Sequence, residues 1–210
     1  MKYWLILLVA ASLPAEILDR IAVTIGRQVI TGSQVLDELR VAAFIEGEKP
    51  DLSGASKRKA AERLVERALI DRELILNRYS LPQDTEIGAL LAQVKVRYPS
   101  EEAYKAALTA AGVTAFEIDN HLKLRVRLVQ FIDYRFQPGV QVSEDDIKDL
   151  YDKQVADWKT KRSEPPPSLE DSRAEIVAVL SRERADRALD RWLGETRTRE
   201  DIVYREEVFR

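Results

Sequence analysis

The chain has 210 residues, 45% of them hydrophobic, and carries 33 lysines and arginines against 36 aspartates and glutamates for a net charge of -3. That apolar share supports a sizeable core and excludes wholesale disorder. The near-balanced charge leaves no strong basic field for a phosphate backbone, which argues against nucleic acid as a partner. Cysteine is absent, so stability rests on packing alone.

Residues 1–15, within MKYWLILLVAASLPAE, carry Lys2, an apolar run from Tyr3 to Ala11, then small residues and Pro14. This is the layout of a secretory signal peptide, with cleavage after Ala15 or after Ala11. The run is shorter than the roughly 20 residues a membrane span requires, so a retained anchor is the weaker reading. Residues 16–210 are expected to form one domain.

In IAVTIGRQVIT, Ile21, Val23 and Ile25 alternate with Ala22 and Thr24, and the pair Gly26-Arg27 precedes Val29 and Ile30. This predicts a hairpin whose two-residue turn takes positive φ at the glycine. A lone hairpin is marginal in water and needs a further strand or helix against it. Thr31 with Gln34 is a capping box for a helix presenting Val35, Leu36, Leu39, Ala42 and Ala43, ended by Gly47 and Pro50. The next helix presents Ala61, Leu64, Val65, Ala68, Leu69, Ile75 and Leu76, with Arg67 and Asp71 spaced to pair along its wetter side. Its basic start, Lys57 to Lys59, reads as a solvated turn.

A helix over Asp84–Tyr98 stops at Pro99, and Ser100 caps another that ends at Gly112. Thr114 with Glu117 opens a long helix that closes at Gln137 to Gly139. Ser143 caps the helix that follows, where Glu144, Asp145 and Asp146 suit the positive end of the helix dipole and need no acid-base or metal role. The segment 159–171, with three prolines, reads as a linker. A last helix presents Ile176, Val177, Leu180, Ala188, Trp192 and Leu193, and Asp201 to Phe209 reads as β-type sequence able to pair with the hairpin. The fold class is therefore mainly α, with a small antiparallel sheet joining the two chain ends.

Catalytic patterns are missing. There is no nucleophile elbow, phosphate loop, dinucleotide fingerprint or cysteine nucleophile, and the lone histidine, His121, reads as a helix-surface residue. No cofactor or metal is expected and no enzymatic activity is assigned. Phe116, Phe131, Tyr134, Phe136, Tyr151 and Trp158 recur along two successive helices. Core packing explains such a series; a groove for unfolded polypeptide is the sharper reading, because amphipathic aromatics bind many sequences without fixed register.

Four stretches, in order, resemble the N-terminal chaperone module of the periplasmic SurA family: RIAVTIGRQVITGSQVLDELR, RLVERALIDRELILNRY, GVTAFEIDNHLKLRVRLVQFID running into VSEDDIKDLYDKQ, and RADRALDRWLGETRTREDIVYRE. In that family the N-terminal hairpin and a C-terminal strand form a small sheet that fastens a helical body. A parvulin-type peptidyl-prolyl isomerase domain sits in the family where this chain has only its proline-rich segment, too short for a domain of at least about 50 residues. The resemblance implies an exported, ATP-independent holdase for unfolded outer-membrane proteins, possible as a homodimer, with isomerase activity not implied. A cell-envelope adaptor binding one folded partner is the alternative.

Overall fold

The computed structural model describes residues 19–79, 84–161 and 164–210; the expected signal peptide over residues 1–15 lies outside them. Two strands, β1 (Ile21–Ile25) and β2 (Gln28–Thr31), form the hairpin, and Gly26 turns it with φ +54°. Ile25 faces Gln28, Thr24 faces Val29 and Val23 faces Ile30, after which the register slips so that Ile21 faces Thr31. The slip buries the adjacent residues Ala22 and Val23 together and leaves Ile21 45% exposed. The expected alternation is corrected at this point, because one unmatched residue moves everything beyond it to the other face.

The third strand, β3 (Ile202–Tyr204), runs antiparallel to β1, giving the order β2-β1-β3. It covers the hairpin's free edge as the sequence implies, and the Gly26 N–H donates to the Asp201 carbonyl at 2.8 Å. The strand is shorter than the β-type run to Phe209. Beyond Tyr204 the chain tightens into a 3-10 turn over Glu206–Val208, which lowers Phe209 into the core.

Among the described residues seven α-helices make the body: α1 (Gly32–Glu46), α2 (Gly54–Leu76), α3 (Asp84–Lys95), α4 (Glu101–Ala111), α5 (Ala115–Arg135), α6 (Glu144–Lys161) and α7 (Leu169–Arg199). Both expected capping boxes form, Thr31 with Gln34 and Thr114 with Glu117. Ser100 and Ser143 also receive backbone N–H groups of the helices they open. The proline segment is shorter than the expected 159–171: α6 continues to Lys161, and Ser168 caps α7 by accepting from the Asp171 N–H at 3.2 Å. Pro165 to Pro167 lie in the connection between the two helices, and a serine N-cap opens α7 directly after them.

Two apolar cores share α1 and α5. The first lies under the sheet and joins Val23 and Ile30 to Val35 and Leu39 of α1, Val65 and Leu69 of α2, Phe131 of α5, Leu193 of α7 and Phe209. The second joins Val41 and Phe44 of α1 to Ile87, Val94, Tyr104 and Leu108 of α3 and α4, and to Ile118 and Leu122 of α5. At the α2 start a Cβ on Gly54 would stand 2.6 Å from the Phe209 carbonyl oxygen, so only glycine admits the chain end there. Arg58 lies 3.5 Å from the centre of the Tyr204 ring and pairs with Glu62 at 2.8 Å and Glu206 at 3.1 Å. Within the basic turn Lys57–Lys59, Arg58 is thus a clamp on the tail rather than a solvated charge.

Candidate functional site

The α2 helix ends differently from what its sequence implies. Ile75 and Leu76, read as core positions, are 72% and 70% exposed, while Ile70 and Leu74 take the buried stripe. The Arg78 N–H donates to the Ile75 carbonyl at 3.3 Å and the Tyr79 N–H to the Leu74 carbonyl at 3.1 Å. These two bonds are a Schellman turn, which requires a left-handed residue, and Arg78 supplies it with φ 52°. The same pair of bonds ends α1 at Gly47 and α4 at Gly112. An arginine in this conformation costs about 1 kcal/mol relative to glycine.

The turn carries Tyr79 back onto α5. Its ring meets Tyr134 edge-on at 4.9 Å and Phe131 at 5.8 Å; Phe131 in turn meets Phe136 at 5.6 Å and Trp192 at 5.3 Å. The result is one aromatic ladder, Tyr134–Tyr79–Phe131–Phe136, with Trp192 against its inner end. It runs from solvent into the first core. Tyr79 and Tyr134 edge an open cleft of about 490 Å³, floored by Leu74 and Phe131 and rimmed by Asn77, Arg78, Arg127, Gln130 and Asp133.

Of the six aromatics singled out in the sequence, Phe131, Tyr134 and Phe136 meet in this ladder. Phe131 is fully buried and is a core residue rather than a contact surface, because the ring lies where α5 faces both α2 and α7. Tyr134 is 73% exposed. Tyr151 and Trp158 stand apart in the α6–α7 hairpin, where the Tyr151 hydroxyl donates to the Pro167 carbonyl and the Trp158 Nε1–H to the Glu164 carbonyl, both at 2.8 Å. They hold the proline segment against α6. Phe116 is exposed in the first turn of α5, outside the ladder. Sequence reading placed Trp192 on the core face of the last helix, where it packs, but missed Tyr79; the run NRY after Leu76 carries no glycine to mark the turn that brings Tyr79 inward.

A second cleft, of about 380 Å³, opens between α1, α2 and α5. Its floor is Glu38, whose side chain is 4% exposed. Arg67 grips it with two bonds, Nη1 to Oε2 at 2.9 Å and Nη2 to Oε1 at 3.3 Å. Arg63 approaches at 3.5 Å, and His121 Nδ1 stands 3.5 Å from Oε2. Burial alone would push the Glu38 carboxyl up, but His121 and the Arg67 guanidinium outweigh it and hold it at about 2. Glu38 is therefore an ionised lock between three helices and has no proton to give near neutral pH.

Two expectations are corrected by this cluster. Arg67 and Asp71 do not pair along α2; Arg67 reaches α1, and Asp71 takes Arg127 of α5 at 3.3 Å. His121 is not a plain surface residue, since its neighbours Ile118 and Leu122 are buried and turn that side of α5 toward α1. Burial raises the Asp71 carboxyl, opposed by Arg127 and Arg67. Among the described residues no group of three or more histidine, aspartate or glutamate side chains is placed to hold a metal ion, and no helix is long and apolar enough to cross a membrane.

Compared with known proteins, the chain matches no family model and no curated protein.

Proposed function

We propose that the protein is an exported, ATP-independent holdase that keeps unfolded outer-membrane polypeptides from aggregating, using the open cleft at the joined ends of α2 and α5. The observation that carries this reading is the solvent-facing end of the aromatic ladder. Tyr134 stands exposed against Tyr79 at a concave site, with Ile75 and Leu76 unburied on the same helix end. Tyrosine gives a large apolar contact with a polar tip and tolerates many partners, which is what binding without fixed sequence demands. The cleft's polar rim of Asn77, Gln130 and Asp133 offers hydrogen bonds to an extended backbone without prescribing side chains.

Further support comes from the chain's organisation. A helical body is fastened by a sheet of the N-terminal hairpin and C-terminal strand, the arrangement that the resemblance to the SurA chaperone module implies. A seven-residue connection, 162–168, stands where that family carries an isomerase domain.

The test is light scattering of a denatured outer-membrane β-barrel protein diluted into buffer, with and without an equimolar amount of the mature chain and without nucleotide. Suppressed aggregation, weakened in an Ile75→Ser/Tyr134→Ser variant that still folds, is the expected outcome. Unchanged aggregation in the presence of folded chain overturns the holdase reading in favour of an envelope adaptor with one folded partner.

A further inference from the structure

The inner end of the aromatic ladder borders a different cleft, one that the client-binding reading does not use. It measures about 480 Å³ and lies between the corner after α5 and the middle of α7. Arg135 faces it from the last turn of α5, and Arg184, Arg187 and Arg191 face it from α7. Residues at spacings of three and four share one helix face, so these three guanidinium groups are stacked along a single ridge with Ala188 between them. Phe136, Val140 and Gln141 complete the wall, and no carboxylate lines the cleft among the described residues.

In a chain of net charge -3, four arginines around one concavity are a local reversal of sign. Two of them are already balanced. Arg184 pairs with Asp146 at 2.5 Å and donates to the Gln141 carbonyl, and Arg135 pairs with Glu73 at 3.3 Å while resting its guanidinium 5.8 Å from the centre of the Trp192 ring. These contacts fix the two groups as walls. The other two retain their charge for a ligand: Arg187 touches Glu183 only at 3.8 Å with both side chains more than half exposed, and Arg191 has no ion pair or hydrogen bond among the described residues.

We infer that this cleft is a binding site for a phosphate group, held by Arg187 and Arg191 against walls set by Arg135 and Arg184. A guanidinium presents paired N–H donors that match two oxygens of a tetrahedral oxyanion, and two such forks from one helix face enclose it better than lysines would. The apolar wall of Phe136, Val140 and Ala188 suits a phosphate ester with a carbon substituent on one side. The shared chemistry is the phosphate; its source is either a phospholipid headgroup or a small free phosphate compound. The site is independent of client binding and stands or falls separately from it.

The experiment titrates inorganic phosphate into the mature chain by calorimetry, with ionic strength held constant by sodium chloride. It is repeated with Arg187→Ala/Arg191→Ala, whose exposed side chains leave the fold intact by circular dichroism, and with Lys57→Ala/Lys59→Ala as an equal change of charge elsewhere. The expected result is saturable binding that weakens at least about tenfold in the arginine variant and stays unchanged in the lysine variant. Co-sedimentation with phosphatidylglycerol vesicles, against phosphatidylcholine alone, then separates the sources. Retention that phosphate competes away and that the arginine variant loses identifies a headgroup; phosphate binding without retention identifies a small compound. Binding that is absent, or equal in wild type and the arginine variant, overturns the site.

Discussion

The core under the sheet and the core under α3 and α4 share two helices but are assembled from different lengths of chain. The first gathers residues from Ala22 to Phe209, so its hairpin, tail, α2, α5 and α7 must all be present before any of them is covered. The second is drawn from Val41 to Leu122: α3, α4 and α5 follow one another in sequence, and α1 joins them across the intervening α2. The first therefore depends on closing the longest separation in the chain, whereas the second closes a shorter one and includes the local packing of α3 on α5, which costs less entropy to bring together. The aromatic ladder belongs to the first core through Phe131, Phe136 and Trp192. Integrity of the proposed client cleft is thereby tied to the chain's last residues, more than a hundred positions from Tyr79.

Removing those residues is the strongest way to break the contrast. A chain ended before Asp201 loses β3, the buried Phe209 and the ring under Arg58, and burial of Phe209 alone is worth about 3 kcal/mol. With the exposed β1 edge added, the expected loss is on the order of 5 kcal/mol, read as an early first transition in urea while helices α3 and α4 hold longer. Gly54→Ala is a smaller version of the same lesion, because the added Cβ collides with the Phe209 carbonyl rather than with a movable side chain. A truncated chain that melts no earlier than the intact one would overturn the role of the tail.

Next in size is the lock between the cores. Glu38 sits on α1, between Val35 and Leu39 facing one core and Val41 facing the other. Glu38→Leu takes from Arg67 its hydrogen-bonded carboxylate and from His121 its acidic neighbour at a half-covered site, at an expected cost of roughly 3 kcal/mol. Adding Arg67→Met returns much of that loss, because the penalty comes from the abandoned charge more than from the missing bond. The pH dependence follows from the depressed carboxyl. Its folded value of about 2 lies below the ordinary 4.5, so the ion pair's contribution, on the order of 3 kcal/mol, is fully present above that ordinary value and fades as pH falls toward 2. Urea midpoints taken across this window fall more steeply for the wild type than for Glu38→Leu/Arg67→Met; parallel slopes would remove Glu38 as the cause.

A third effect is of opposite sign and about 1 kcal/mol. Arg78→Gly relieves the left-handed strain at the end of α2 and keeps both Schellman bonds. The variant is expected to be more stable with the Tyr79–Tyr134 contact unchanged, measured by urea unfolding and by tyrosine protection from modification. Loss of client holding in this more stable variant would assign the arginine itself to the cleft's rim.

These cases also mark where the sequence was readable. Caps made by Thr31, Ser100 and Thr114, and turns made by Gly26, Gly47 and Gly112, were legible because each is settled by residues within a few positions of one another. The sheet was legible for a similar reason: two short β-type segments in a helical chain have only each other to pair with. Arg78 was not, since nothing local distinguishes a left-handed arginine from a helical one. Ile75 and Leu76 fit the helical period of α2 but lie beyond the neighbours that cover Leu69 and Leu74. Glu38 and His121 come together only after α1 and α5 pack, and the arginine cleft needs α7 set against the corner after α5. Periodicity reports which side of a helix is apolar and is silent about which partner that side meets.

The smallest effect compares one substitution in two places. Tyr104 is 3% exposed in the second core, between Phe44 and Tyr98, and its hydroxyl oxygen has no hydrogen-bond partner among the described residues; burial raises its phenol above the usual range. Tyr151 lies in the α6–α7 hairpin and donates its hydroxyl proton to the Pro167 carbonyl at 2.8 Å. A buried unpaired hydroxyl has lost its water without gaining a bond, so Tyr104→Phe is expected to be neutral or stabilising by up to about 1 kcal/mol. Tyr151→Phe removes a bond that was made, at a cost of about 0.5 kcal/mol at a half-exposed site, and loosens the proline segment from α6. Urea unfolding of the two variants side by side checks the sign as well as the size. If Tyr104→Phe proves the more damaging, the hydroxyl is satisfied by an ordered water inside the second core, and that core is wetter than its apolar lining implies.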